Sequence, residues 1–157
     1  MIGLSSEYKQ LPLGNIWLMI YYLPSREESL KLKDDAYKNA ISRNYPHIPK
    51  PALPPTLPIA NYTGTYFHPA YRNATITFDD SVLKIDRTKQ QLWKIAGEIK
   101  HISGDFFMTY LDSTTAPESV FKGALPAEFR VDENGVAKSF GVMLEGAMKE
   151  KIWFERV

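Results

Sequence analysis

Residues 73–86 read Asn-Ala-Thr-Ile-Thr-Phe-Asp-Asp-Ser-Val-Leu-Lys-Ile-Asp, and this stretch decides the fold. Apolar and polar side chains alternate on both sides of an Asp-Asp-Ser turn. Such a period of two predicts half-buried β-strands, because successive side chains of a strand point to opposite faces. The turn is too short for a crossover connection, so we expect the two strands to be antiparallel neighbours.

The same alternation continues from about residue 59 to the end of the chain. Turn sequences separate the runs, and Asn134-Gly135 is the strongest hairpin signal among them. The runs predict eight strands, near residues 62–67, 73–79, 82–87, 91–102, 105–112, 119–132, 136–145 and 151–156. Eight antiparallel strands with short connections close into a barrel, which removes the exposed edges of an open sheet. We therefore expect an all-β fold, an eight-stranded antiparallel barrel.

Two further segments are expected before the barrel domain of residues 59–157. Residues 1–45 form a helical arm, because Ser25-Arg26-Glu27-Glu28 has the pattern of a capping box and apolar residues follow it at helical spacing. Residues 46–58 contain six prolines and predict an extended linker, since proline lacks a backbone donor and fixes φ.

Composition excludes several classes of function. The 157 residues carry 19 Lys and Arg against 18 Asp and Glu, with no basic stripe, so we expect no nucleic-acid partner. The chain has no cysteine, which excludes disulfides, thiol nucleophiles and cysteine-based metal sites. Its three histidines, His47, His68 and His101, lack the spacing of metal ligands. We therefore expect no metal and no cofactor.

Targeting signals are weak in this sequence. The longest apolar run, Ile16 to Leu23, has eight residues, whereas a membrane-spanning helix needs about 20. No basic region precedes the run and no small-residue cleavage site follows it. We expect a cytoplasmic protein without a membrane partner. Secretion stays the alternative, because two glycosylation sequons begin at Asn61 and Asn73.

Several short motifs resemble one known family. The segments are Asn61-Tyr62-Thr63-Gly64-Thr65-Tyr66-Phe67-His68-Pro69, Ala127-Glu128-Phe129-Arg130, Asp132-Glu133-Asn134-Gly135 and Ile152-Trp153-Phe154-Glu155-Arg156, together with the helix start at residues 23–28. They resemble the C-terminal domain of fungal serine β-lactamase-like (penicillin-binding-protein-like) proteins. The resemblance implies a lipocalin-like barrel that accompanies a separate catalytic domain, which this sequence does not contain.

The catalytic motifs of that family do not carry over. A serine followed three residues later by a lysine occurs at Ser6, Ser81 and Ser119. The last two lie on predicted strands, where residues three apart face opposite sides, and Ser6 precedes the first clear helix. The family's Lys/His-x-Gly element is missing. We therefore expect no serine hydrolase, and no acylation of these serines by a β-lactam or fluorophosphonate probe.

The inward faces of the strands predict an apolar cavity with a few polar groups, as in small-molecule sites. The expected ligand-binding residues are Tyr62, Tyr66, Phe78, Trp93, Ile99, Phe129 and Arg156. The same register puts Ile76, Leu83, Ile85, Ile95 and Phe154 inside, because a slip of one residue would bury Lys84, Lys94 and Lys100. Arg156 is also expected to stack on Tyr66 at one barrel end, as in lipocalins.

The sequence does not decide which face of strand 105–112 points into the barrel. Phe106, Met108 and Tyr110 form one apolar set, and Phe107, Thr109 and Leu111 form the other. If the barrel is catalytic, its proton donor or acceptor has to lie close to the reacting atoms of the substrate. The candidates for this role are His101, Tyr110 and His68.

Three functions fit these observations. The leading one is a barrel that binds an apolar or amphipathic small molecule in its central cavity. The second is a cofactor-free isomerase or cyclase that positions a substrate in the same cavity. The third is a structural or interaction module whose barrel is filled by its own side chains. A cavity of a few hundred cubic ångströms would favour the first two, and a filled interior the third.

Residues 15–23 predict a homodimer formed through the N-terminal arm. This segment has no polar face, so docking one side on a barrel would leave several hundred square ångströms of apolar surface exposed, about the limit for a monomer. A closed barrel has no free edge, and two-fold pairing through side chains is the commonest association. Light scattering should show a dimer for the intact chain and a monomer for a chain starting at Ser25; a monomer in both cases would contradict the prediction.

Overall fold

The computed structural model describes residues 26–89, 94–113, 122–146, 148 and 150–157. Two helices come first, α1 (Arg26–Lys38) and α2 (Ala40–Asn44), and a short 3₁₀ turn (Ile59–Tyr62) leads into the strands. The strands are β1 (Gly64–His68), β2 (Arg72–Asp79), β3 (Val82–Asp86), β4 (Ile95–Ser103), β5 (Phe106–Ser113), β6 (Lys122–Val131), β7 (Ala137–Val142) and β8 (Ile152–Arg156). The chain divides into two compact units, Met1–Leu32 and Lys33–Val157, and the second contains all eight strands.

The strands form a closed antiparallel barrel in chain order. Closure occurs between β1 and β8, where Tyr66 pairs with Arg156 and Phe67 pairs with Glu155. The predicted all-β barrel with an N-terminal helical arm is therefore confirmed. The predicted strand near 136–145 ends earlier, at Val142, because the chain turns there and the backbone N–H of Leu144 donates to the carbonyl oxygen of Val142.

Large aromatic side chains fill the barrel. Tyr62 packs against Phe129 with ring centroids 4.8 Å apart, and Phe129 packs against Phe140 at 4.9 Å. The buried set includes Tyr62, Tyr66, Ile76, Leu83, Ile85, Ile95, Ile99, Phe107, Phe129, Phe140 and Phe154. Lys94 and Lys100 lie on the exposed side. The predicted register is thus confirmed by burial.

Two residues of the predicted lining need separate comment. Phe78 has the inward parity of Ala74 and Ile76, but its side chain is 42% exposed, so its predicted place inside the barrel is wrong. The physical reason is its position one residue from the end of β2, where the interior meets solvent. Trp93 lies outside the described residues, as does the apolar segment 15–23, so the dimer stays a prediction.

Both faces of β5 are covered near its middle, which explains the ambiguity of strand 105–112. Phe107, Thr109 and Leu111 face the interior, where none is more than 1% exposed. Met108, on the opposite face, is covered by a second apolar cluster that includes Ala40 of α2 and Ile102 of β4. The outer wall of β4 and β5 is therefore an interface with the segment that precedes the barrel.

The Pro-rich segment, residues 46–58, is hydrogen-bonded to the turn between β4 and β5. The N–H of Gly104 donates to the carbonyl oxygen of Leu53 at 2.9 Å, and the N–H of Leu53 donates to Oγ of Ser103 at 3.1 Å. These bonds hold an extended chain against the outer wall. The division of the chain at residues 45 and 58 stays a prediction. Neither described helix is long and apolar enough to cross a membrane.

The close approach of β4 and β5 predicts that Gly97→Ala strongly destabilises the barrel. Gly97 pairs with Leu111, and a Cβ at position 97 would overlap the carbonyl oxygen of Tyr110. We expect the free energy of unfolding to fall by about 3 kcal/mol or more, because a backbone atom must move. Urea unfolding measures the change. Gly146→Ala is the control, since its Cβ would meet nothing within 4 Å; an equal loss in both variants would contradict the prediction.

Candidate functional site

The interior of the barrel leaves little room for a ligand. The internal cavity that the described residues enclose has a volume of about 10 Å³ and lies among Ala74, Ile85, Arg87, Ile95, Thr109, Leu111, Phe140, Val142, Leu144 and Phe154. Such a volume holds about one water molecule, whereas small-molecule sites measure roughly 300 Å³ or more. The expected central cavity for an apolar ligand is therefore not found among the described residues, because aromatic side chains occupy that space.

The structure separates the three candidates for proton transfer. Nδ1 of His68 accepts hydrogen bonds from the backbone N–H groups of Ala70 at 3.1 Å and Tyr71 at 3.3 Å, so this ring stabilises the turn after β1. Nε2 of His101 lies 2.9 Å from the carbonyl oxygen of Gly104, in the turn between β4 and β5 at the other end of the barrel. Each histidine thus has a local structural role.

Tyr110 lies on the outer wall of the barrel. The centroid of its ring is 4.8 Å from the ring centroid of Tyr37 in α1, and Nζ of Lys100 lies 5.2 Å from the centroid of the Tyr110 ring. His68, His101 and Tyr110 therefore do not share a cavity. The geometry does not bring together the proton donor and the enclosed substrate space that an isomerase or cyclase would need.

Arg156 closes one end of the barrel. Its Nη1 donates to the carbonyl oxygen of Ala137 at 3.3 Å and to the hydroxyl of Tyr66 at 3.4 Å. Its Cζ lies 5.8 Å from the centroid of the Tyr66 ring. Burial raises the pKa of Tyr66, and the nearby guanidinium of Arg156 opposes that rise. The contact of Arg156 with Tyr66 that the sequence predicts is present, and Nη1 of Arg156 donates within the protein.

The described serine–lysine pair has no catalytic geometry. Ser81 lies in the turn between β2 and β3 with a φ of 64°. Lys84 donates instead to Oδ2 of Asp79 at 2.6 Å and lies 3.7 Å from Asp80. Ser6 and Ser119 lie outside the described residues. Within the part of the chain that the structure describes, no group of three or more His, Asp and Glu side chains could hold a metal ion.

A larger apolar groove lies on the outside of the barrel. It has a volume of about 390 Å³, and residues 44–49, Leu53, 102–104 and Phe106 line it. One wall comes from the end of α2 and the Pro-rich segment, and the other from the turn between β4 and β5. Leu53 is 58% exposed and Phe106 is 46% exposed. The groove therefore presents apolar surface to solvent.

Two polar side chains that line this groove, Tyr45 and Asn44, are hydrogen-bonded within the chain. The hydroxyl of Tyr45 donates to the carbonyl oxygen of Phe107 at 2.9 Å, and burial raises the pKa of Tyr45 to about 12. Nδ2 of Asn44 donates to the carbonyl oxygen of Ala40 at 2.8 Å. The groove thus offers mainly apolar contacts. The sequence carried one signal of it, since the second apolar face of strand 105–112 includes Phe106.

A charged pair flanks the exposed ring of Phe106. Nζ of Lys151 lies 2.8 Å from Oε2 of Glu128 and 5.8 Å from the centroid of Phe106. Glu128 and Phe106 are directly paired across β5 and β6. An apolar patch with charged groups beside it has the anatomy of a protein interface, with an apolar centre and a polar rim.

Asp105 fastens the Pro-rich segment beside the groove. Its Oδ2 accepts from the hydroxyl of Thr56 at 2.5 Å, and its Oδ1 accepts from the N–H of Thr56 at 3.1 Å and from the hydroxyl of Tyr62. Burial raises the pKa of Asp105, but the hydrogen bonds from Thr56 and Tyr62 outweigh it and the net pKa is lowered. The pKa of Tyr62 is raised to about 12 by burial and by its bond to this carboxylate.

Comparison with known proteins places this barrel among related sequences. Residues 49–156 match the family described as "Domain of unknown function (DUF3471)". The chain is 40% identical over 129 residues to the unguisins hydrolase of Aspergillus campestris and 36% identical over 130 residues to that of Aspergillus violaceofuscus. Each alignment covers 78% of this chain but only 22% of the relative, so the chain spans about a fifth of the length of these hydrolases.

A solved structure is also similar to this chain. It is the crystal structure of the C-terminal domain of a penicillin-binding protein, with a TM-score of 0.49 and 22% sequence identity. The match covers 70% of this chain and 94% of that domain. The family match and the two fungal hydrolases confirm the resemblance to the C-terminal domain of fungal β-lactamase-like proteins that the sequence motifs indicated.

The Asp105 contacts predict a pH-dependent contribution to stability. A carboxylate whose pKa is lower in the folded chain stabilises the fold above its unfolded pKa of about 3.9, and this contribution is lost as the pH falls through the folded value. Asp105→Asn should lower the free energy of unfolding by about 1–3 kcal/mol at pH 7. The difference from the parent chain should shrink below about pH 4. Urea unfolding at several pH values measures it. Glu133→Gln is the exposed control, and a pH-independent difference would contradict the prediction.

Proposed function

Because this chain belongs to the family described as Domain of unknown function (DUF3471), we propose that its barrel is a non-catalytic accessory domain of a hydrolase. In this function the barrel acts through its outer wall. The relatives that carry this region are named hydrolases, and more than three quarters of each lies outside the region matched here. The chemistry would then belong to that other part, and the barrel would position or stabilise it.

The contrast between two volumes carries this proposal. The interior cavity measures about 10 Å³, whereas the groove on the outer wall measures about 390 Å³. A filled interior cannot admit an amphipathic molecule without moving aromatic rings that are packed as close as 4.8 Å. The groove needs no such movement, and Phe106 and Leu53 already stand at its edge.

We infer that the occupant of the groove is an apolar segment of the hydrolase part. The donors of Tyr45 and Asn44 are used within the chain, so the groove favours aliphatic or aromatic side chains over a polar ligand. The Lys151–Glu128 pair beside it would supply the polar rim of such an interface. Exposed Phe106 would be an anchor of this interface, since aromatic side chains that become buried dominate interface energies.

Binding of an apolar small molecule in this same groove is the second candidate. The volume of about 390 Å³ lies within the range of ligand pockets, roughly 300–1,000 Å³. Native mass spectrometry of the purified chain would show a retained molecule that Phe106→Ser releases. In this function the small molecule would bind in the outer groove instead of the barrel interior.

The accessory function predicts that Phe106→Ser uncouples the barrel from the hydrolase. The test uses the full-length unguisins hydrolase of Aspergillus campestris with its matching region replaced by residues 49–156 of this chain. The chimaera should unfold in one thermal transition and hydrolyse unguisins. Phe106→Ser should split the transition and lower the activity about tenfold, because losing an anchor side chain removes about 1.4 kcal/mol of docking.

Phe78→Ser is the matched control, since Phe78 is 42% exposed against 46% for Phe106 and does not line the groove. Both substitutions should leave the unfolding midpoint of the isolated chain alike. Equal behaviour of the two chimaeras would reject the groove as the docking surface.

A further inference from the structure

A buried arginine with unpartnered N–H groups lies at one end of the barrel. Arg87 directly follows β3, and it is only 4% exposed. Its Nη2 donates to the carbonyl oxygen of Tyr71, but Nε and Nη1 have no hydrogen-bond partner. None of the ion pairs formed among the described residues includes Arg87. Guanidinium groups stay charged in proteins, so this burial is strongly unfavourable unless something compensates the charge.

Thr109 supplies a second buried polar group without a partner. It is fully buried on the inner face of β5, and its Oγ1 forms no hydrogen bond. Thr109 and Arg87 both line the internal cavity of about 10 Å³. The other walls of this cavity are apolar side chains such as Ile85, Leu111 and Phe140. The two residues that carry these three unused polar atoms thus line the same small space.

Among the residues that the structure describes, the neighbouring groups do not neutralise Arg87. Glu145 is at the same end of the barrel, but its Oε1 accepts from the hydroxyl of Tyr71 at 2.6 Å. The ring of Phe154 lies 5.9 Å from Cζ of Arg87, which is near the limit of a cation–π contact. Burial lowers the pKa of Arg87, in agreement with a charge that the surrounding groups do not fully compensate.

We propose that Arg87 and Thr109 form an internal binding site for one monatomic anion, chloride in ordinary solution. The donor set fits this ligand, because the hydroxyl of Thr109 and an unpartnered N–H of Arg87 can both point at one centre of negative charge. The size of the cavity limits the ligand to a single small species. A carboxylate or phosphate ligand would need to displace the aromatic rings around it.

The charge distinguishes chloride from water at this position. A water molecule would accept hydrogen bonds from Arg87, but it would leave the positive charge in place. It would also need acceptors for its own hydrogens, and the cavity walls offer Oγ1 of Thr109 among apolar side chains. An anion needs no acceptor and offsets the buried charge.

The test compares thermal unfolding of the intact chain in sodium gluconate and sodium chloride at constant ionic strength. Because an anion that binds the folded state stabilises it, the unfolding midpoint should rise saturably, by about 4 °C when chloride is about tenfold above Kd.

Arg87→Met should abolish the rise, and Thr109→Val should weaken the apparent affinity for chloride about tenfold. The exposed control Lys138→Met should respond like the parent chain. The same response in Arg87→Met and the parent chain would overturn the proposal.

A diffraction experiment tests the site without any substitution. Crystals of the intact chain grown in sodium bromide should show an anomalous peak within hydrogen-bonding distance of Nε or Nη1 of Arg87. Bromide peaks confined to the surface, or a water molecule without anomalous signal beside Arg87, would overturn the proposal. This measurement also decides the question where Arg87→Met fails to fold. It is independent of the docking function, because it does not involve the outer groove.

Discussion

The pairing of β1 with β8 is the contact on which the rest of the structure depends. Where Tyr66 meets Arg156 and Phe67 meets Glu155, the sheet loses its last free edge and every strand residue faces either the interior or the outer wall. Eight strands give an interior just wide enough to be filled by side chains. Here aromatic rings of the described residues fill it, and a cavity of about 10 Å³ lies among them. Functional sites are therefore expected at the ends of the barrel or on its outside.

Tyr62 connects the filled interior to the groove on the outer wall. Its ring packs in the core, 5.3 Å from Phe107, while its hydroxyl donates to Asp105 and accepts from the N–H of Leu57 at 3.1 Å. Asp105 in turn holds Thr56 of the Pro-rich segment. The segment that forms one wall of the groove is thus anchored to a side chain of the core. The shape of the groove follows from the packing of the barrel.

Sequence periodicity could predict the barrel because a wrong register is costly. A slip of one residue in β3 and β4 would bury Lys84 and Lys100, so one register is favoured. The same rule wrongly predicted Phe78 inside the barrel, because the parity of a residue does not show how close it lies to the end of its strand. Periodicity could not identify the inner face of β5, because the second apolar cluster also covers Met108 on the outer face. The groove itself joins residues 44–49 to residues 102–104 and Phe106, and no local pattern reports contacts between such distant segments.

The alternation of inward and outward residues in β3 extends to Arg87. Leu83, Ile85 and Arg87 have one parity, so the period of two that identified the core also directs this arginine inward. A charged residue at the end of a strand is usually exposed, which hides the signal. The other inward arginine, Arg156, differs in its surroundings: it is only half-buried, and its Nη1 donates to Ala137 and Tyr66. The two ends of one barrel thus hold a positive charge in different ways. Among the described residues, buried donors without a partner are found at the end that holds Arg87.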